Sequence, residues 1–130
     1  DTVKIFDLDF KYHLDRYKYS SRYLNEKDFL SKEEHRNEGI KHLKTLHNVL
    51  EKNNSKYLYK NKISFMDLAL FPLVRQYKIA DVYFFNENID LKLVNIWLEN
   101  LINAMFFKNI MYKYEVWNSD ANPVYFENSL

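Results

Sequence analysis

The sequence predicts an all-α fold, a bundle of five or more helices around one buried central helix. Glycine occurs once and proline twice in 130 residues. β-Hairpins require alternating apolar runs separated by turn residues, and the sequence shows no such pattern. Apolar residues recur every three to four positions, which is the period of an amphipathic helix. From Phe65 to Ala80 nearly every side chain is apolar, which predicts a helix that other helices surround.

Composition excludes several functional classes. A hydrophobic content of 47% is that of a folded domain, and a net charge of +1 gives no basic surface for nucleic acid or acidic membranes. The absence of cysteine excludes disulfides, cysteine-bound zinc and a thiol nucleophile within this sequence. No apolar run is long enough to span a membrane, and we expect no signal peptide within the given sequence. The sequence begins without an initiator methionine, which suggests a fragment of a longer protein, a processed or trimmed chain, or numbering that omits a short tag.

The first predicted helix covers about Lys4 to Tyr19. A second face of this helix, separate from its apolar stripe, carries Tyr12, Arg16 and Tyr19, whose aromatic or aliphatic bodies end in polar tips. On residue type alone this face is a solvated or dimer-facing helix surface. The apolar stripe consists of Phe6, Phe10, Leu14 and Tyr17.

The second helix is predicted to begin at Ser31, after a connector in which Asn25 and Asp28 are turn residues. Glu34 lies three residues after Ser31, the spacing of a capping box. Gly39 lies inside this helix, where glycine lowers helix stability by about 1 kcal/mol relative to alanine. A close approach by another helix would explain why a glycine stands at this position. The predicted buried stripe is Ile40, Leu43, Leu46 and Leu50, and the helix ends near residues 53–55.

The central helix carries the clearest local signals. Ser64 is a good N-cap, and the Asp67 carboxylate can reach back to the backbone N–H of the cap residue. We therefore assign both residues a structural capping role. Pro72 lies well inside the helix, where it removes one backbone hydrogen bond and predicts a bend.

The remaining segments follow in order. Residues 81–88 are expected to form a loop with Phe84 and Phe85 as a lid, and Asp90 is expected to cap the next helix. A last helix is expected near residues 105–114, with Trp117 closing a domain that spans residues 1–117 and residues 118–130 forming a polar tail. The stripe of the helix after Asp90 consists of Val94, Trp97, Leu98, Leu101 and Ile102.

No catalytic or metal-binding constellation is apparent in the sequence. The four histidines form no His-Glu-x-x-His or Glu-x-x-His motif, and His42 and His47 are five residues apart, the wrong spacing for one helix face. A single glycine cannot build a glycine-rich phosphate loop. Because Ser64 is explained as a cap, it is not needed as a nucleophile. We therefore expect no catalytic residue, no metal and no cofactor-binding residue in this sequence.

The order of these segments resembles the C-terminal domain of glutathione S-transferases. Ser64 and Asp67, followed by the run Ala-Leu-Phe-Pro at 69–72, resemble the start of the sixth helix of that family. Residues 10–19 resemble the first helix of its C-terminal domain in a bacterial-type subgroup, His35-Arg36 resembles the start of its second helix, and residues 96–117 resemble its closing helices. The resemblance covers about residues 6–117.

The resemblance implies the hydrophobic co-substrate-binding and dimerisation half of a glutathione S-transferase-like protein. Glutathione would be the co-substrate of the parent protein, held by an N-terminal thioredoxin-like domain that this sequence lacks, so the fragment alone should be inactive. Tyr12, Arg16 and Tyr19 would form the wall of the site for a small electrophilic substrate. The family also implies a cytoplasmic, homodimeric detoxification enzyme. The alternatives are a non-catalytic interaction module with the same fold and a free-standing bundle that binds a small apolar ligand.

Overall fold

The computed structural model describes residues 1–26 and 30–104, and within these ranges the chain is helical with no β-strand. This confirms the prediction of an all-α bundle with five or more helices. The expected helix at 105–114, Trp117, the polar tail and Asp28 lie outside the described residues. The α-helices are α1 (Thr2–Ile5), α2 (Lys11–Lys18), α3 (Lys32–Asn53), α4 (Phe65–Ala80), α5 (Val82–Glu87) and α6 (Lys92–Asn103).

Helices α1 and α2 are joined by a π-helical turn over Phe6–Phe10, so that the backbone is helical from Thr2 to Lys18. A short 3₁₀ turn, Ser20–Tyr23, follows α2, and another, Ile89–Leu91, precedes α6. The predicted apolar stripe is correct, since all four of its residues are buried in the core: Phe6, Phe10, Leu14 and Tyr17.

Helix α3 begins and ends as predicted. Ser31 accepts a hydrogen bond from the Glu34 backbone N–H at 3.1 Å, and the Glu34 carboxylate accepts one from the Ser31 N–H at 2.6 Å. Asn54 ends the helix in the left-handed conformation, with φ of 45°. The glycine inside α3 is explained by packing, because a Cβ at Gly39 would lie only 2.6 Å from the Tyr77 ring of α4.

Helix α4 has the predicted bounds and the predicted capping box, in which Ser64 accepts from the Asp67 N–H and the Asp67 carboxylate accepts from the Ser64 N–H. It packs against α1, α2, α5 and α6, as expected for a central helix. It is not enclosed on every side, however, because the side chains of Phe65 and Ile79 are 78% and 46% exposed. The buried face consists of Asp67, Leu70, Phe71, Val74 and Tyr77.

Two expectations for the segment after α4 were wrong. Residues 82–87 form α5 and not a loop, because the Asp81 carboxylate accepts a hydrogen bond from the Phe84 N–H at 2.9 Å and so starts a new helix directly after α4. Phe85 is a core residue and not part of a lid. Asn88, and not Asp90, provides the next side-chain cap, accepting from the Asp90 N–H at 3.0 Å.

Helix α6 presents the predicted stripe to the core. Val94, Trp97, Leu98 and Leu101 are buried, and Ile102 packs partly buried against them. No helix among the described residues is long and apolar enough to cross a bilayer. A cavity that could take a small ligand lies beside the predicted site face of α2, at the junction of α2, the following turn and the start of α3.

Candidate functional site

A cavity of about 270 Å³ lies where α2, the Ser20–Tyr23 turn and the N-terminal end of α3 meet. Its walls are chemically mixed, with a guanidinium, an ammonium, a carboxylate, an imidazole, a phenol, two hydroxyls and two leucine side chains. A few convergent polar groups beside apolar surface are typical of ligand sites in proteins. The lining includes Arg16, Tyr23, Glu26, Leu30, Lys32 and His35.

Arg16 is the most constrained residue of the cavity. Its Nε and Nη2 donate to the two carboxylate oxygens of Glu26 over distances of 2.9–3.0 Å, and its Nη1 donates to the Tyr12 carbonyl oxygen at 3.2 Å. Its guanidinium carbon lies 3.5 Å from the centroid of the Tyr12 ring and 4.4 Å from that of Tyr23. Stacking on aromatic faces and bidentate pairing both fix a guanidinium in orientation. The cation is therefore held in place while its side chain remains 14% exposed.

The structure brings together two of the three residues predicted to form the substrate wall. Arg16 lines the cavity, and Tyr12 packs directly on its guanidinium. Tyr19 lies at the C-terminal end of α2, half exposed, where its ring contacts the guanidinium of Arg22 at 4.3 Å and the ammonium of Lys18 at 5.1 Å. Tyr12 thus contacts Arg16, whereas Tyr19 contacts Arg22 and Lys18.

A cluster of histidines and one carboxylate borders the cavity on its inner side. His35, which lines the cavity, has its Nδ1 3.0 Å from the Nδ1 of His13, and both residues are buried. In this hydrogen bond one ring must donate and the other accept, so at least one of the two is neutral. Asp9 lies at the outer end of the cluster, with Oδ2 2.6 Å from the His42 Nε2 and Oδ1 3.8 Å from the His13 Nε2.

Burial lowers the pKa of His13, and the neighbouring imidazoles of His35 and His42 act in the same direction. The carboxylates of Asp9 and Glu38 oppose this shift without reversing it. His13 is therefore predominantly neutral near pH 7. In the described ranges, no group of three or more His, Cys, Asp or Glu side chains is arranged to hold a metal ion.

Sequence reasoning missed Glu26, Tyr23 and His35 as cavity residues. His35 had a usable signal, because it lies four residues before Gly39 on the buried stripe of α3 and the stripe can be extended back to it. Glu26 and Tyr23 lie in the connector after α2, where no periodicity exists to place a side chain. Their position became visible only with the tertiary structure.

Comparison with known proteins gives one match. A family model described as the C-terminal domain of glutathione S-transferase matches residues 8–99, which is well over half of the 130-residue chain. The matched range includes Arg16, Glu26 and His35 of the cavity and the capping box at Ser64 and Asp67. No curated protein and no solved structure matches the sequence significantly.

Proposed function

The chain belongs to the glutathione S-transferase C-terminal domain family, and from this premise we propose that it is the co-substrate-binding and dimerisation half of a glutathione S-transferase-like protein. In this proposal a thioredoxin-like domain of the same parent protein binds glutathione, and the cavity at Arg16 receives a small electrophilic co-substrate. We further propose a cytoplasmic homodimer of the bacterial-type subgroup with a role in detoxification.

The observation that carries the proposal is the fixed guanidinium of Arg16 at the cavity wall, with Tyr12 and Tyr23 against it. Aromatic and aliphatic walls suit the body of an aromatic electrophile, and a cation in a fixed orientation can position its polar substituent. Conjugation requires a thiolate and an electrophile held in one assembled site, so a wall that orients the electrophile contributes to rate even without a reacting group.

Tyr17 and Tyr77, both fully buried in the described part of the chain, are poorly placed to reach a thiol. Burial raises the pKa of both Tyr17 and Tyr77, so their phenolate forms are disfavoured near neutral pH. In this proposal the groups that lower the pKa of the glutathione thiol belong to the thioredoxin-like domain. This division of labour predicts that the chain alone lacks transferase activity.

The test compares residues 1–130 with the longer parent protein, using glutathione and chlorodinitrobenzene as substrates. Residues 1–130 alone should neither bind glutathione tightly nor conjugate it. In the parent protein, Arg16→Ala should raise the apparent KM for the electrophile more than that for glutathione. Arg22→Ala is the matched control, because this arginine contacts Tyr19 rather than lining the cavity, and it should change neither value. Robust conjugation by residues 1–130 alone would overturn the proposal.

A second candidate function is a non-catalytic interaction module. It is favoured by large apolar side chains that are exposed to solvent in the described part of the chain. Among them, Phe65 is 78% exposed, Tyr83 77% and Ile89 80%. Contiguous exposed apolar patches mark protein-protein contacts, whereas single exposed apolar side chains are ordinary. A parent protein without affinity for glutathione would favour this function over the transferase.

A further inference from the structure

We propose that the connector between α3 and α4, together with the first turn of α4, binds the surface of an anionic lipid membrane. The connector combines a series of exposed lysines with exposed apolar side chains nearby, and a membrane surface offers both anionic headgroups and an apolar layer beneath them. This inference goes beyond the proposed transferase role and does not depend on the cavity at Arg16.

The positive charge of the chain is unevenly distributed. Residues 52–62, called the lysine loop below, contain four lysines and no aspartate or glutamate, although the whole chain has a net charge of only +1. The rest of the chain is therefore net acidic, and the expectation drawn from the net charge does not apply to this local surface. All four lysines of the loop are exposed: Lys52, Lys56, Lys60 and Lys62.

The lysines of the loop differ from other surface lysines in their partners. The ammonium groups of Lys41, Lys44 and Lys78 each lie 2.6–3.1 Å from a carboxylate oxygen. In the described part of the chain no such ion pair involves a lysine of the loop, and Lys56 and Lys60 instead lie 5.6 and 5.7 Å from the ring centroid of an adjacent tyrosine. Ammonium groups that no carboxylate neutralises remain available to anionic headgroups.

The shape of the lysine loop is fixed by hydrogen bonds and by two buried side chains. The Leu58 N–H donates to Oδ1 of Asp67 at 2.9 Å, and the Tyr57 N–H donates to the Lys60 carbonyl oxygen at 3.1 Å. The side chains of Tyr57 and Leu58 are buried, whereas Tyr59 is 67% exposed. Lys60 adopts the left-handed conformation, with φ of 62°, and so reverses the chain at the tip. The loop therefore presents its lysines and Tyr59 without an ordering cost on binding.

Exposed apolar side chains lie beside these lysines. The hydrogen bond from Leu58 to Asp67 holds the loop against the first turn of α4, where Phe65 is 78% exposed and Leu68 is 38% exposed. Tyrosine is enriched at membrane interfaces, and peripheral binding strengthens with the apolar area buried as well as with charge. A single-stranded nucleic acid would use the lysines and stack on aromatic rings, but it gains nothing from an aliphatic side chain such as Leu68. The surface therefore favours a membrane over a nucleic acid.

The experiment measures co-sedimentation of residues 1–130 with vesicles of phosphatidylcholine, alone or mixed with an equal amount of phosphatidylserine. Binding to the anionic vesicles should be about tenfold tighter or more, and it should weaken as salt is added. The double variant Lys56→Gln, Lys60→Gln should weaken this binding about thirtyfold, the loss expected for two lysines at an anionic surface. The matched control is Lys41→Gln, Lys44→Gln, which removes the same charge from α3 and should weaken binding by no more than about threefold.

Phe65→Trp reports whether the first turn of α4 enters the lipid, with the unmodified chain as the spectral reference. Its fluorescence should shift to shorter wavelengths with anionic vesicles and not with a single-stranded oligonucleotide. Equal binding to both kinds of vesicle, or equal weakening by the two double variants, would overturn the role of the lysine loop. Tighter binding of the oligonucleotide than of anionic vesicles would overturn the membrane in favour of a nucleic acid. None of these outcomes bears on the proposed co-substrate site.

Discussion

The indole N–H of Trp97 donates a 2.8 Å hydrogen bond to Oδ1 of Asp67 and thereby ties α6 to the first turn of α4. Asp67 is fully buried, and the same oxygen accepts from the backbone N–H of Leu58 at 2.9 Å. Its other oxygen accepts from the N–H and the hydroxyl of Ser64 at 2.8 and 2.7 Å. One carboxylate therefore joins the connector before α4, the cap of α4 and the core face of α6.

We expect Asp67→Ala to lower the free energy of unfolding by about 2–5 kcal/mol, more than the 0.5–2 kcal/mol typical of losing an N-cap. The excess arises because the buried N–H groups of Leu58 and Trp97 lose their acceptor. Urea unfolding followed by circular dichroism measures the change. Ser64→Ala is the matched control, because it removes the cap hydroxyl and keeps those two hydrogen bonds, and it should cost about 1 kcal/mol. Equal losses for the two variants would show that the contact with α6 adds nothing.

This contact shows which parts of the fold the sequence could predict. The capping boxes at Ser31 and Ser64 were predictable because all their atoms lie within four residues of each other. The bond from Trp97 to Asp67 spans 30 residues, and no local pattern distinguishes an indole that donates from one that only packs. Helix α5 was mistaken for a loop because six residues are too few to show a helical period.

Local sequence patterns were also insufficient to predict the contacts between distant residues at the candidate site. Helical spacing alone placed Arg16 on a polar face of α2, whereas its role in a substrate wall was implied only by the family resemblance. Its partner Glu26 follows an irregular turn, so the distance between them depends on the path of the backbone. Gly39 is an intermediate case. A glycine inside a helix predicts a close neighbour, but only the structure identifies that neighbour as Tyr77.

Gly39→Ala should destabilise the protein even though alanine favours a helix by about 1 kcal/mol over glycine. A Cβ at this position would lie 2.6 Å from Cε2 of Tyr77. The ring cannot move away easily, because its hydroxyl is bonded to the Arg36 carbonyl oxygen at 2.7 Å and its face packs against Phe10. Overpacking of this kind costs typically about 1–3 kcal/mol, which should appear as a net loss in thermal or urea unfolding.

The control for this substitution is Asn37→Ala, at an exposed position of the same helix. There the added helix propensity meets no neighbour, and the variant should be slightly more stable than the parent, by about 0.5 kcal/mol. If Gly39→Ala matched or exceeded the stability of the parent, the contact between α3 and α4 would be looser than described.

Tyr17 and Tyr77 should respond with opposite signs to the loss of their hydroxyl groups. Their rings lie 5.1 Å apart in the core, and only the Tyr77 hydroxyl donates a hydrogen bond, to the Arg36 carbonyl oxygen. The Tyr17 hydroxyl is buried without a hydrogen-bond partner in the described part of the chain. Tyr77→Phe should therefore cost about 0.5–1.5 kcal/mol, whereas Tyr17→Phe should be neutral or stabilising by up to about 1 kcal/mol. A loss at Tyr17 as large as that at Tyr77 would indicate an acceptor for the Tyr17 hydroxyl.

The pH dependence of stability should reflect the histidine cluster. Burial lowers the pKa of His13 in the folded protein below its ordinary value of 6.5, so the unfolded chain binds this proton more readily. The stability that this histidine contributes is complete above pH 6.5 and is lost as the pH falls through the folded-state pKa.

His13→Gln tests this dependence, because a glutamine amide can still bond to His35 but does not titrate. We expect the free energy of unfolding of the parent chain to fall more steeply than that of the variant between about pH 7 and pH 5. The carboxylates of Asp9 and Glu38 stabilise the charged imidazole of His13 and so oppose the lowering of its pKa. Asp9→Asn removes one of these carboxylates. The free energy of unfolding of this variant should therefore fall with decreasing pH more steeply than that of the parent chain. Urea midpoints measured across this range give the slopes. Parallel curves for the parent and His13→Gln would mean that His13 takes up its proton equally well in the folded and unfolded chains, and that the cluster beside the cavity does not sense pH through this residue.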